Sequence, residues 1–178
     1  MDLADAPADA AFRADLRNWL ESATPRLPWP EPTELSGKLP FWRRWRQMLY
    51  SADYAGPSWP RNYGGGGMNA RTRAILMEEL DRARAPERLN IIGEDFAGPT
   101  IIDFGTEVQK YRFLDPILKG ETIWCQLFSE PEAGPDLASL KTTATRVGGG
   151  WSIQLNLCEV KHTCSESLQT SVSTIPSS

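Results

Sequence analysis

Metal and disulfide chemistry have little to work with in this sequence. It carries one histidine, His162, and three cysteines, Cys125, Cys158 and Cys164. They form no CxxC pair and no ligand-spaced cluster, so neither a metal site nor a disulfide framework is expected. Cys125, set inside an apolar run, reads as a buried free thiol. Long apolar stretches are also missing. No window approaches the roughly 18 apolar residues of a membrane span, so none is expected. The residues Met1 to Ala11 are rich in Ala and Asp and lack the charged-then-apolar layout of a signal peptide. A cytoplasmic location is therefore the expectation. Positive charge is in the minority, with 19 Lys and Arg against 23 Asp and Glu, a net charge of -4 and a pI near 5.1. That balance gives no reason to expect a nucleic-acid partner. The four glycines Gly64 to Gly67 are followed by no Gly-Lys-Ser/Thr, which rules out a Walker-type phosphate loop.

What is present suits a packed core: 40% of residues are hydrophobic and seven are tryptophan. Asp9 can cap a first helix bearing Phe12, Leu16, Trp19 and Leu20 at helical spacing. The prolines between Thr24 and Pro40 predict an extended surface loop. A second helix is expected from about Phe41 to Tyr54, with Phe41, Trp42, Trp45, Met48, Leu49 and Ala52 on its apolar face. Arg43, Arg44, Arg46 and Gln47 then fall on its solvated side. Gly56 to Gly67 reads as a sharp connection with Trp59 and Tyr63 turned inward. Asn69 can cap a third helix carrying Thr72, Leu76, Leu80 and Ala83, and Pro86 ends it. Its acids Glu78, Glu79 and Asp81 lie among Arg71, Arg73, Arg82 and Arg84, which reads as surface ion pairing.

Leu89 to Gly98 is compatible with a buried helix, and Pro99 can open a short further one with Ile101, Ile102 and Phe104. Thr106 and Gln109 match a capping box for a helix carrying Val108, Tyr111 and Leu114, closed at Gly120. Beyond residue 120 the period changes from helical to alternating. Strands are expected over Thr122 to Phe128, Thr142 to Val147 and from Trp151, the last two joined through Gly148 to Gly150.

The most informative stretch is Trp124-Cys-Gln-Leu-Phe-Ser-Glu-Pro-Glu-Ala-Gly-Pro-Asp136, an apolar run that breaks at Ser129 into a small-residue turn. It resembles the flavin-binding signature of the acyl-CoA dehydrogenase family. Two further signatures of that family precede it in order, Trp59-Pro-Arg-Asn-Tyr-Gly-Gly-Gly-Gly67 and Gly105 to Glu121. The resemblance covers about residues 9 to 153. It implies a mainly α chain: a helical N-terminal domain (residues 1–120), then the first strands of a β-barrel-like middle domain (121–157). Residues 158–178, rich in Ser and Thr, are expected to form a disordered tail outside the family pattern.

The implied reaction oxidises an acyl-CoA thioester to a trans-2-enoyl-CoA. A carboxylate takes the α-proton while hydride leaves the β-carbon for FAD, and an electron-transferring flavoprotein takes the electrons. The family also implies homo- or hetero-oligomers. Carried onto this sequence, Gln126, Leu127, Phe128 and Ser129 would lie along the flavin ring, and Gly134 and Pro135 beside its pyrophosphate and the acyl-CoA. The family normally has serine where Pro135 stands, and proline offers neither hydroxyl nor backbone N–H. Asp136 reads as a loop stabiliser. No residue here occupies the place of the catalytic glutamate, which in the family usually lies in a C-terminal helical bundle. After Ile153 the family pattern is lost, which suggests a truncated or frame-shifted member. Two functional readings follow: an FAD-dependent acyl-CoA dehydrogenase, or a non-catalytic fragment or partner subunit of one.

Overall fold

The computed structural model describes residues 5–125, 130, 136–147 and 150–154, the last five and residue 137 by backbone alone. The chain divides into two compact units, Met1–Cys125 and Gln126–Ser178. The first is helical.

Its first helix, α1 (Pro7–Ala23), begins two residues before Asp9. Pro7 holds the first helical position, where a missing N–H costs nothing, and Ala6 is the cap without any side-chain bond. Asp9 is therefore no cap. It sits in the first turn and pairs with Arg71 at 2.5 Å. The second helix, α2 (Leu35–Ser51), starts well inside the segment read as a loop and contains Pro40. The Glu34 carbonyl accepts from both Gly37 and Lys38, so the first turn is closed before the proline arrives. Pro40 then leaves only the Ser36 carbonyl without its helical donor. Gly37 lets Pro32 lie against this turn, since a β-carbon there would sit 2.8 Å from the Pro32 ring.

Helices α1, α2 and α3 (Ala70–Arg82) share one core of Leu16, Leu20, Phe41, Trp45, Leu49 and Leu76, all buried. The apolar stripes expected of the first two helices are the ones that pack. Asn69 caps α3 by accepting from the Thr72 N–H at 2.9 Å.

A second core surrounds Trp59, with Ala55, Leu114, Ile117 and Leu118. Tyr63 is half-buried at its edge. Here the chain forms a π-turn (Gly93–Ala97) running directly into α4 (Gly98–Phe104). In π geometry the donor for the Glu94 carbonyl would be residue 99, which is proline. The Trp59 indole N–H takes that place at 2.8 Å. Gly98 is the space the indole fills: a β-carbon there would lie 1.8 Å from the ring. The segment is thus not a uniformly buried helix, because Phe96 and Ile91 are exposed while Gly93, Glu94 and Gly98 are inside.

Helix α5 (Glu107–Lys119) carries the full capping box between Thr106 and Gln109 and ends at Gly120 with φ 71°. Its buried face is Leu114, Ile117 and Leu118. Val108 and Tyr111, expected with Leu114, instead face solvent, Tyr111 being 90% exposed.

In the second unit, β1 (Thr143–Val147) and β2 (Gly150–Gln154) form an antiparallel hairpin, from Thr143 opposite Gln154 to Val147 opposite Gly150. Two residues join them, as two-residue hairpins require. The tail over 158–178 lies outside the described residues.

Candidate functional site

The six nominated residues, Gln126, Leu127, Phe128, Ser129, Gly134 and Pro135, lie outside the described residues. What the structure does define is how the chain is held on each side of them, within each unit separately.

On the approach, Asn90 is the anchor. It is buried in left-handed backbone at φ 72°, a conformation asparagine tolerates better than most residues. Its amide donates to the carbonyls of Ile117 at 3.1 Å and Thr122 at 2.9 Å, and its oxygen accepts from the Trp124 N–H at 2.8 Å. The strand-like run is thus tied to the end of α5 before it reaches residue 126. Residues 122–125 form no strand, contrary to the alternating pattern. Alternation survives in the side chains. The Trp124 ring packs edge-on against Phe113 at 5.8 Å, while Ile123 and Cys125 are exposed. Cys125 is therefore a surface thiol rather than a buried one, because the inward position of this run belongs to Trp124.

Between the nominated Ser129 and Gly134, Glu130 is buried, and its two carboxylate oxygens accept from the N–H groups of Lys141 and Thr142, each at 2.7 Å. Asp136 is exposed and accepts from the Ala138 N–H at 3.0 Å, opening the short 3₁₀ turn Leu137–Ser139. It thereby stabilises its own loop, as read from the sequence.

Two charged clusters of the helical unit are centred on Arg46 and Glu79, which patterning assigns to the surface but which are buried. Arg46 is 1% exposed. It donates through Nε to the Leu118 carbonyl at 2.6 Å and through Nη1 to the Glu94 carboxylate, which also pairs with Arg88 at 2.7 Å. Glu79 is also 1% exposed and receives Arg13, Arg17 and Arg82 at 2.6 to 2.8 Å. The Arg17 bond, ahead of those from Arg13 and Arg82, holds its carboxyl far below the usual carboxylate range although burial opposes this. The sequence carried a signal for it. Glu79 lies four residues after the buried Ile75, and Arg13 and Arg17 share a face of α1 at i,i+4 spacing. Arg43 and Arg44 are exposed as expected.

Two clefts open on the helical unit. One of about 300 Å³ is bounded by Phe12, Asp53, Tyr54, Arg61, Met68 and Asn69, and one of about 180 Å³ by Trp19, Arg26, Arg44 and Met48. They lie at or below the small end of the range for organic-ligand pockets. Among the described residues no group of three or more His, Cys, Asp or Glu could hold a metal, and no helix is long and apolar enough to cross a membrane.

A family model described as acyl-CoA dehydrogenase, N-terminal domain, matches residues 7–121. Acyl-CoA dehydrogenase IpdE1 of Mycolicibacterium smegmatis is 45% identical over 106 residues, which is 60% of this chain and 27% of that protein. FadE34 of Mycobacterium tuberculosis is 46% identical over 95 residues, 53% of this chain and 13% of its own length. The ChsE4–ChsE5 complex from Mycobacterium tuberculosis superposes with a TM-score of 0.68 at 31% identity, covering 86% of this chain and 38% of that one. A steroid acyl-CoA dehydrogenase, Tcur3481–Tcur3483, gives 0.67 at 35% identity over 86% and 39%. The chain thus spans less than a third of the curated relatives it matches.

Proposed function

Since this chain belongs to the acyl-CoA dehydrogenase family, we propose that it serves the FAD-dependent oxidation of an acyl-CoA thioester to a trans-2-enoyl-CoA. On this reading residues 1–120 are the helical domain and 121–157 the opening of the β-domain. The observation that carries it is the match of the helical unit, joined to the flavin signature that follows it in the sequence.

Two acids of the signature are held by backbone N–H groups. Asp136 keeps its carboxylate on the Ala138 N–H, so that charge is engaged within the loop. Glu130 is likewise engaged on the N–H groups of Lys141 and Thr142. Gln126, Leu127, Phe128 and Ser129 would hold the ring, their backbone groups meeting its pyrimidine edge and the Ser129 hydroxyl its O4/N5 side. Gly134 would let the chain approach the pyrophosphate, with Pro135 beside it and the acyl-CoA. Bound FAD supplies the hydride acceptor. The chain's own part is to orient that ring and keep water from it.

A second reading has one observation in its favour. Pro135 removes two donors where serine is usual, and losing a bond to a charged phosphate costs about 1.5 to 3 kcal/mol, or roughly tenfold or more in affinity. On that reading the chain is a non-catalytic fragment or a partner subunit that assembles with a complete family member. Electron transfer to a flavoprotein partner, homo- or hetero-oligomers and a cytoplasmic location belong to the first reading by family.

The test is to purify the 178-residue chain and measure bound flavin by visible absorbance, and acyl-CoA oxidation with an artificial electron acceptor. A yellow protein that oxidises the acyl-CoA supports the first reading. A protein that stays colourless under excess FAD and has no turnover leaves only the second.

A further inference from the structure

Pro25 has no N–H with which to extend α1, and the chain tightens there into the 3₁₀ turn Thr24–Arg26. The buried Leu27 closes that turn by donating to the Thr24 carbonyl at 3.2 Å, which leaves Arg26 exposed just past the end of α1. On α2, Arg44, Gln47, Met48 and Ser51 recur at i, i+3, i+4 and i+7 and so share a face. The cleft of about 180 Å³ lies between these elements, lined by Arg26, those four residues and Trp19. The Trp19 ring is held in place by Trp45 at 5.6 Å and Tyr54 at 4.9 Å.

Arg13, Arg17, Arg71, Arg73, Arg82 and Arg88 are each held by a carboxylate. Arg26 and Arg44 pair with none among the described residues, and no Asp or Glu lines the cleft. Yet acids are in surplus over the whole chain, at a net charge of -4. Two like charges flanking one cleft disfavour each other, and an anion bound between them relieves both. Ser51 spends its hydroxyl proton on the Gln47 carbonyl at 2.8 Å. The side-chain donors left at the cleft are therefore the two guanidinium groups and the Gln47 amide, a set suited to a ligand that accepts. Guanidinium forks match phosphate oxygens, and a phosphomonoester brings a charge of about -1.5 to -2 at neutral pH. The volume is below the usual range of organic-ligand pockets, which suits a compact head and not a nucleotide.

We propose that this cleft between the end of α1 and the face of α2 is a binding site for a small phosphomonoester. Arg26 and Arg44 grip the phosphate, while Trp19 and Met48 offer an apolar wall to its short carbon part. The site is independent of the flavin reading above.

Calorimetric titration of the full chain with glycerol 3-phosphate, at constant ionic strength, tests it. Saturable binding is expected. Arg26→Gln and Arg44→Gln should each weaken it about tenfold, as loss of a charged hydrogen bond does. Both side chains are exposed, so the thermal transition should stay where it was. Arg84→Gln removes an exposed arginine that does not line the cleft and should leave the affinity unchanged. Vesicles containing phosphatidic acid separate two sources of the same chemistry. Co-sedimentation that Arg44→Gln abolishes assigns the site to a lipid headgroup, and glycerol 3-phosphate binding without vesicle capture assigns it to a free ester. The proposal is overturned by no saturable binding to either, by undiminished binding in the Arg26 and Arg44 variants, or by an equal loss in Arg84→Gln. Acetate binding as tightly as glycerol 3-phosphate would overturn it as well.

Discussion

At the scale of single residues, the buried charges decide more than their number suggests. Glu79 receives three arginines from two helices, so its stabilisation is gathered in one carboxylate. Glu79→Gln should cost about 2 to 4 kcal/mol, read by urea denaturation near neutral pH. The folded state holds this carboxyl below its ordinary 4.5, so the contribution is complete above 4.5 and fades as pH falls toward the depressed folded value. Stability of the parent chain should therefore drop between about pH 4.5 and pH 3 more steeply than that of the variant. A parallel decline in both would remove Glu79 as the cause. Such residues were hard to read in advance because patterning assigns charge to solvent by default. Arg46 directly follows the buried Trp45 at the border of the apolar stripe, and only its tertiary partners turn it inward. Glu130 and Asn90 show no local signal either, as each bonds backbone outside its own turn.

Individual elements were legible where the signal was local. The caps at Asn69 and Thr106 and the glycine stop at Gly120 depend on residues within one turn, and all three are found. Elements set by distant packing were not. Pro40 suggested a loop, yet the core contacts of Phe41 and Trp45 sustain a helix around it. Val108 and Tyr111 fit a helical period but not the face that meets Trp59. The π-turn was invisible because it depends on Pro99 and an indole 35 residues earlier than Glu94. Its dependence on space makes a sharp expectation. Gly98→Ala should destabilise the helical unit by about 2 to 4 kcal/mol, because the new methyl must displace the Trp59 ring. Tryptophan fluorescence during chemical denaturation measures this. A loss below about 0.5 kcal/mol would mean the ring moves freely.

For the whole molecule, family and helical architecture could be read from three ordered signatures, whereas the buried contacts of Arg46, Glu94 and Asn90 depend on packing that no signature encodes. The helical unit also has an unusual keystone. Arg46 reaches 72 residues along the chain to Leu118 and 48 to Glu94, joining α2, the π-turn and the last turn of α5. None of these can lift away alone without stranding a guanidinium or a carboxylate in a nonpolar interior. Native-state hydrogen exchange should therefore give the amides of Leu49 and Leu118 the same opening free energy, and a clearly lower value at Leu118 would disprove this. Partial melting is closed off as a route. On that expectation α2, the π-turn and the end of α5 open as one, so a protease able to cut the intact protein should spare the junction they share.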